Sequence, residues 1–167
     1  MPLKRTPAWR RPNSAAPGAL LLLTVLSASF MRAMMASAAG LPKAIRVVGA
    51  GEAAVNQLFR PRSPQTIPAG FERTCVEMGW PTAKMWDQLS ERPLGDTARW
   101  WWESENESYI YYNRGDNQWW VDGPSGAGLY VVPDMDASPV PPQDGWITLQ
   151  GAARPAPRCE YQVSEEL

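Results

Sequence analysis

Asp116 and Asp122 bracket the aromatic run Gln118-Trp119-Trp120-Val121. A pair of carboxyls beside aromatic rings is the equipment of glycoside hydrolysis, in which one group protonates the leaving oxygen and the other serves as base or nucleophile. Both residues also adjoin turn positions, where Asp is at home because its side chain bonds the nearby backbone. The chain has no histidine, which removes the usual general base near neutral pH and the commonest transition-metal ligand. Cys75 and Cys159 therefore lack the base that would activate a thiol nucleophile. In an exported chain an even cysteine count points instead to one disulfide, here closing about 84 residues and contributing roughly 4–5 kcal/mol. The alternative is two unpaired buried thiols, as a reducing compartment would favour. Gly123-Pro124-Ser125-Gly126-Ala127-Gly128 lacks the lysine of a phosphate loop and precedes no helix, so it reads as a turn. Asp134, Asp136 and Asp144 lack the spacing of a calcium loop and read as surface acids. No catalytic residue, cofactor or metal ligand is assigned. Asn106-Glu107-Ser108 is an N-glycosylation sequon, usable if the chain enters the endoplasmic reticulum.

The remaining chemistry is aromatic. Eight of the nine Trp lie after residue 79, five of them in Trp100-Trp101-Trp102 and Trp119-Trp120. Tyr109-Ile110-Tyr111-Tyr112 has the β propensity of a strand. Side chains alternate across a strand, so one member of Tyr111-Tyr112 and one of Trp119-Trp120 must point to each face. One face makes a core. The other is either covered, for which the Pro-rich loops are the expected material, or presented as a stacking platform for sugar rings or Pro-rich peptide. Trp119, Trp120, Tyr111 and Tyr112 are the candidate contact residues.

The elements that must hold these residues are short. Seventeen Pro and 13 Gly break the chain often, which favours strands over long helices. Strands are expected at 45–48, 55–59 and 71–78, with a Pro-rich loop from Arg60 to Gly70. One short helix is expected from Thr82 to Leu89, with Met85, Trp86 and Leu89 on one face. An antiparallel meander follows from Trp100 to Leu149. Its turns lie at 103–107, 113–117 and 123–128, and its last strand at 145–149. The expected fold is mainly β, a small antiparallel meander sheet with one short helix, preceded by a hydrophobic targeting segment.

The string from Tyr109 to Tyr130 resembles the centre of an aromatic-rich module of algal, oomycete and other protist proteins. That module opens on Gly-Ala-Gly and Val-Asn-Gly-x-Tyr, continues through an aromatic hairpin to Pro-Pro-x-x-Gly-Trp, and closes on Pro-Ala-Pro. This chain has Gly49-Ala50-Gly51, Val55-Asn56-Gln57-Leu58-Phe59, Pro141-Pro142-Gln143-Asp144-Gly145-Trp146 and Pro155-Ala156-Pro157. The match spans residues 45–161. Gln57 departs from the module's Gly, so its tight turn is not implied there. The resemblance implies one β unit and no particular reaction. Trp102-Glu103, Tyr111-Tyr112-Asn113, Trp120 and Pro124 also echo a WW domain. The interval of 18 from Trp102 to Trp120 is shorter than in that family, and its His is missing, so we read the echo as convergence.

The first 38 residues read as a targeting peptide. Lys4 to Arg11 is basic, Ala19 to Phe30 is an apolar run of 12 residues, and Ala36-Ser37-Ala38 has the small residues of a cleavage site. As a helix the run spans about 18 Å, too short for a ~30 Å hydrocarbon core; an uncleaved anchor is the alternative, and the chain's one expected contact with a membrane. Ser27-Ala28-Ser29 before Phe30, followed by an acid-free stretch, resembles the Ala-Phe cleavage motif of secondary-plastid proteins, so plastid import through the endoplasmic reticulum stands beside secretion. Residues 41–167 carry 11 Lys and Arg against 17 Asp and Glu, a net −6. An acidic body does not suit nucleic acid. A targeting peptide (1–38), a linker (39–44), a β module (45–161) and a C-terminal tail (162–167) are expected. The implied protein is a non-enzymatic binding or structural module with a glycan or protein partner. A small glycan hydrolase using Asp116 or Asp122, and a structural subunit of a plastid or membrane assembly, are the alternatives.

Overall fold

The computed structural model describes residues 41–90, 100–136 and 138–162. The targeting peptide and its cleavage sites, and the tail beyond Gln162, lie outside the described residues. β1 (Ala44–Val48), β2 (Leu58–Arg62), β3 (Trp101–Glu103), β4 (Tyr109–Asn113), β5 (Gln118–Asp122), β6 (Gly128–Pro133), β7 (Ile147–Thr148) and β8 (Arg158–Gln162) form one eight-stranded curled sheet. Its order is β7-β6-β5-β4-β3-β2-β1-β8 and every pair is antiparallel. The meander is present, and the fold is mainly β.

The turns follow from their residues. In the β4–β5 hairpin the Asn113 side chain accepts the Gly115 amide at 2.8 Å, and Asn117 takes a φ of 55°. Asn tolerates that left-handed conformation better than most residues. Asn56 closes the bend after β1 by bonding both the amide and the carbonyl of Ala50, at 2.9 and 2.8 Å.

Three expectations need correction. Residues 71–78 are not a strand. They belong to α1 (Ala69–Met78), which buries Phe71 and Cys75 one turn apart and stops at Gly79 with φ 68°. The Trp80 amide reaches back to the Cys75 carbonyl at 2.8 Å in a Schellman closure. Together with α2 (Thr82–Ser90) this makes two helices rather than one. The second strand is shifted to Leu58–Arg62, because Val55 is drawn into a 3₁₀ turn over Ala53–Val55. The chain also adds a strand after the expected last one. β8 returns to pair with β1 along its whole length, from Ala44 opposite Gln162 to Val48 opposite Arg158. The loop ahead of β7 covers the outer edge of β8: the Cys159 amide donates to the Gln143 carbonyl at 2.8 Å, Arg158 pairs with Asp144 at 3.3 Å, and the Tyr161 hydroxyl meets the Pro141 carbonyl.

Both faces of the central strands are packed. The inner face carries Ile45, Val47, Phe59, Trp102, Ile110, Tyr112, Trp119, Val121, Tyr130, Val132 and Cys159. Trp119 sits at its centre, 5.8 Å from the Trp102 ring and 5.5 Å from Tyr112, with its Nε1 donating to Asp134 at 3.0 Å. The outer face of β3 and β4 presents Trp101, Tyr109 and Tyr111, and the two helices lay Phe71 and Trp86 on them. The Pro-rich loop between β2 and α1 supplies the rim of that cover, its Ser63 and Thr66 carbonyls accepting the Trp101 Nε1 at 3.0 Å each.

The cysteines are the fourth correction. Cys75 lies on α1 over the outer face and Cys159 lies in the inner core on β8. The sheet separates them, and both are buried free thiols. Burial pushes the Cys159 thiol up to about 12, partly offset by Trp146. Burial also raises Cys75, against a lowering contact from Thr82. Both are therefore thiols, not thiolates, at neutral pH.

Where α1 meets the β5–β6 turn, the backbones nearly touch. A Cβ on Gly126, whose φ is 81°, would lie 2.3 Å from Thr74 Oγ1 and 2.4 Å from the Gly70 carbonyl. Gly49 has a similar φ of 71° but open space around it. Gly126→Ala should therefore destabilise by about 2–3 kcal/mol and Gly49→Ala by about 1 kcal/mol in urea denaturation. Equal effects would show that the contact is relaxed in solution. A reductant should leave the denaturation midpoint unchanged, and both thiols should alkylate only in denaturant; a reductant-sensitive midpoint would restore the disulfide.

Candidate functional site on the outer face

Register places the candidate residues in rows. On the outer face Tyr109 stands opposite Asp122, and Tyr111 opposite Trp120. Trp120 in turn faces Val131, which faces Ile147 on β7. The row Tyr111-Trp120-Val131-Ile147 runs from beneath the helices to the sheet edge. Tyr111 is 2 % exposed and Ile147 52 %. Tyr112 and Trp119 belong to the inner core, at 3 % and 1 % exposure. Of the four candidate contacts, Trp120 alone reaches solvent, half-buried on β5.

Trp120 is held from two sides. Its Nε1 donates to Asp116 Oδ2 at 3.0 Å across the β4–β5 hairpin. Its ring lies against Gly128, where a Cβ would come within 2.6 Å of Trp120 Cζ3 and 3.3 Å of Leu149 Cδ1. Gly128 is thus a gap in the side-chain row of β6 into which the indole fits. Desolvation beside the ring raises the Asp116 pKa, against hydrogen bonds from Trp120 and the Gln118 backbone that lower it.

Asp122 is a different kind of carboxyl. It ends β5 opposite Gly128 on one side and Tyr109 on the other, and is 4 % exposed. Its Oδ1 and the Tyr109 hydroxyl both lack a hydrogen-bond partner. The hydroxyl is close enough to favour ionisation slightly, yet burial dominates and raises the Asp122 pKa from 3.8 to about 8. Burial also raises Tyr109 and Tyr111, with the Asp122 charge adding to each. Asp122 is therefore a neutral carboxylic acid at pH 7. Asp116 lies in the turn before β5 with its carboxylate tied to Trp120, while Asp122 ends the same strand and is buried.

The other candidates have structural work. The sequon Asn106 sits in the β3–β4 turn, with its Oδ1 accepting Ser104 Oγ at 2.6 Å and the Ser108 amide at 3.1 Å, and its Nδ2 donating to the Ala54 carbonyl at 2.8 Å. The amide nitrogen that a glycan would occupy is thus engaged in the fold. Asp134 accepts Trp119 Nε1 and the Ser138 amide and hydroxyl, pinning the loop after β6. Asp144 pairs with Arg158, and Asp136 is exposed. The Gly123–Gly128 segment joins β5 to β6 through a β turn in which the Gly126 amide donates to the Gly123 carbonyl at 2.9 Å, and the Gly123 amide donates to the Ala127 carbonyl at 2.9 Å. No group of three or more Cys, Asp and Glu that could hold a metal ion occurs among the described residues. A depression of about 370 Å³ on α1, lined by Ala69, Glu72, Arg73, Val76 and Glu77, is made of one helix surface and includes neither carboxyl.

Sequence reasoning missed the partners that cover the outer face, Phe71 and Cys75. Their signal was present in the four-residue spacing of Phe71 and Cys75, with Pro68 before and Gly79 after. No protein-family model, curated protein or solved structure matches this chain.

The Asp122 proton sets a pH dependence of stability. The folded protein keeps a proton that the unfolded chain gives up above its ordinary value of 3.8, so stability falls as pH rises from about 4 to about 8 and levels beyond. Asp122→Asn should flatten that slope. Its stability relative to wild type should improve by a few kcal/mol between pH 4 and 8. Parallel wild-type and variant curves from chemical denaturation would show that Asp122 is not the group responsible.

Proposed function

We propose that this chain is a non-enzymatic binding module that takes a carbohydrate ligand at Trp120 and Asp116, on the open part of its outer face. The observation that carries this reading is the fixed Trp120 indole. It is half-buried, seated in the Gly128 gap and hydrogen-bonded to a carboxylate at its rim. A flat aromatic ring beside a hydrogen-bond acceptor matches the two needs of a pyranose, an apolar C–H face to stack and hydroxyls to bond. A ring already held in one rotamer loses little freedom on binding. The acidic body favours neutral or basic ligands over polyanionic ones. In this reading the module works after passage through the endoplasmic reticulum, in the secretory pathway or on the way to a plastid, where polysaccharide is at hand. The likeness to the protist aromatic module supports one β unit as the working piece and leaves the sugar to experiment.

The test is a glycan array followed by titration calorimetry on any hit. Trp120→Ala should weaken binding at least about tenfold, or 1.4 kcal/mol, with circular dichroism unchanged. Asp116→Asn, which keeps an acceptor but loses the charge, should weaken it less. Failure of the wild type to bind any glycan above the Trp120→Ala background would end the carbohydrate reading.

A further inference from the structure

Asp122 is buried at the junction of sheet and helices with nothing to balance a charge. From β4 it faces the Tyr109 and Tyr111 hydroxyls, on which the Cys75 thiol of α1 also bears, and none of these groups can become positive. From β6 it faces Gly128, which offers no side chain, and the turn residues Gly123, Pro124, Ser125 and Gly126 carry no charge. The nearby cation of α1, Arg73, is committed to Glu107 at 2.9 Å and to the Pro124 carbonyl on the solvent side. Glu72 and Glu77 of α1 and Lys84 and Asp87 of α2 stand exposed, away from the sheet. Asp116 bears on the far end of Tyr111 and adds negative charge. An unpaired carboxylate in such a place is expensive, and the cheapest relief is entry of water from above.

What lies above stands outside the ladder of the sheet. The strands are joined by ladders from β7 to β8, whereas α1 and α2 rest on side-chain packing and a few bonds at their margins. They include Trp86 Nε1 to the Pro64 carbonyl at 3.3 Å, the Arg114 amide to the Leu89 carbonyl at 3.3 Å, and the Arg73 contacts. Beneath them lie Trp101, Tyr109 and Tyr111, whose row continues into the half-buried Trp120.

We propose that α1 and α2 form a pH-released cover: ionisation of Asp122 lifts the two helices from the sheet and bares the aromatic face of Trp101, Tyr109 and Tyr111. With the helices seated, Asp122 holds its proton and the cover is closed. With them raised, the carboxylate is solvated. Each proton lost favours the open form by up to tenfold per pH unit across the interval between the two states' pKa values. The sheet, anchored by β1, β8 and the inner Trp119 cluster, does not need the cover to keep its own core. This switch goes beyond the carbohydrate reading and holds whether or not Trp120 binds sugar.

The test is amide hydrogen exchange of the full chain from pH 5 to 9, read by mass spectrometry and divided by the intrinsic chemical rate. The opening constant of α1 and α2 should exceed that of β1 and β8 and should climb by up to tenfold per pH unit, levelling near pH 8. In Asp122→Asn the helices should show no such climb. Flat wild-type helices, an equal climb in Asp122→Asn, or strands whose opening constant equals that of the helices at every pH would each overturn the cover. Should Asp122→Asn fail to fold, the comparison of helices with strands in the wild type still decides. So does a carboxyl ¹³C titration, in which an Asp122 midpoint near 4 would refute the proposal.

Discussion

Side chains alternate across a strand, and three of the central strands carry large aromatic residues in adjacent pairs. Trp101-Trp102, Tyr111-Tyr112 and Trp119-Trp120 must each send one ring to either side. Such a sheet carries large rings on both faces, whereas antiparallel sheets commonly have one polar face turned to water. The inner rings are satisfied by curling the sheet on itself, so that Trp102, Tyr112 and Trp119 meet the side chains of β1, β6 and β8. The outer rings need separate material. The segment between β2 and β3, which are neighbours within the sheet, supplies it as two short helices and a Pro-rich rim.

That second layer explains the placement of several residues that look unrelated in sequence. Gly70 and Gly126 let α1 come down until its backbone touches the β5–β6 turn. Phe71, Cys75, Trp86 and Leu89 face inward at helical spacing. The layer also encloses the last residue of β5. A carboxyl at Asp122 would be solvated at the end of a bare hairpin; beneath α1 it becomes a neutral acid with an unused oxygen. The same burial that completes the aromatic face thus creates its one electrostatic weakness.

The sequence made the meander legible because its signals are local. Aromatic and β-branched runs are separated by Asn, Asp and Gly at turn positions, and β4, β5 and β6 stand where those runs lie. Pairings at long range were not legible. Nothing local in Arg158-Cys159-Glu160-Tyr161-Gln162 announces that it will cover the edge of β1, since its exposed and buried positions alternate only once that partner is known. The helix α1 was missed because Phe71-Glu72-Arg73-Thr74-Cys75-Val76 satisfies a loose alternation as readily as a helical period, and the capping residues decide between them. The disulfide expectation failed for a related reason. Cysteine count carries no information about which face of a sheet each thiol occupies. Burial of the aromatic pairs followed from alternation, but which ring stays at the surface depended on how far the helices reach.

That reach accounts for Trp120. The helices span β3 and β4 and stop short of the outer face of β6, where the row passes through Trp120, Val131 and Ile147 to a two-residue edge strand. A large ring at the margin of a cover would ordinarily be free to turn. Here Gly128 removes the side chain that would crowd it and Asp116 takes its N–H, so the indole is fixed although only partly buried. A structural role alone would be met by any apolar residue at this position. The hydrogen-bonded carboxylate at the rim is what the proposed contact role rests on, because it orients with a charged group a ring that lies at the margin of the core.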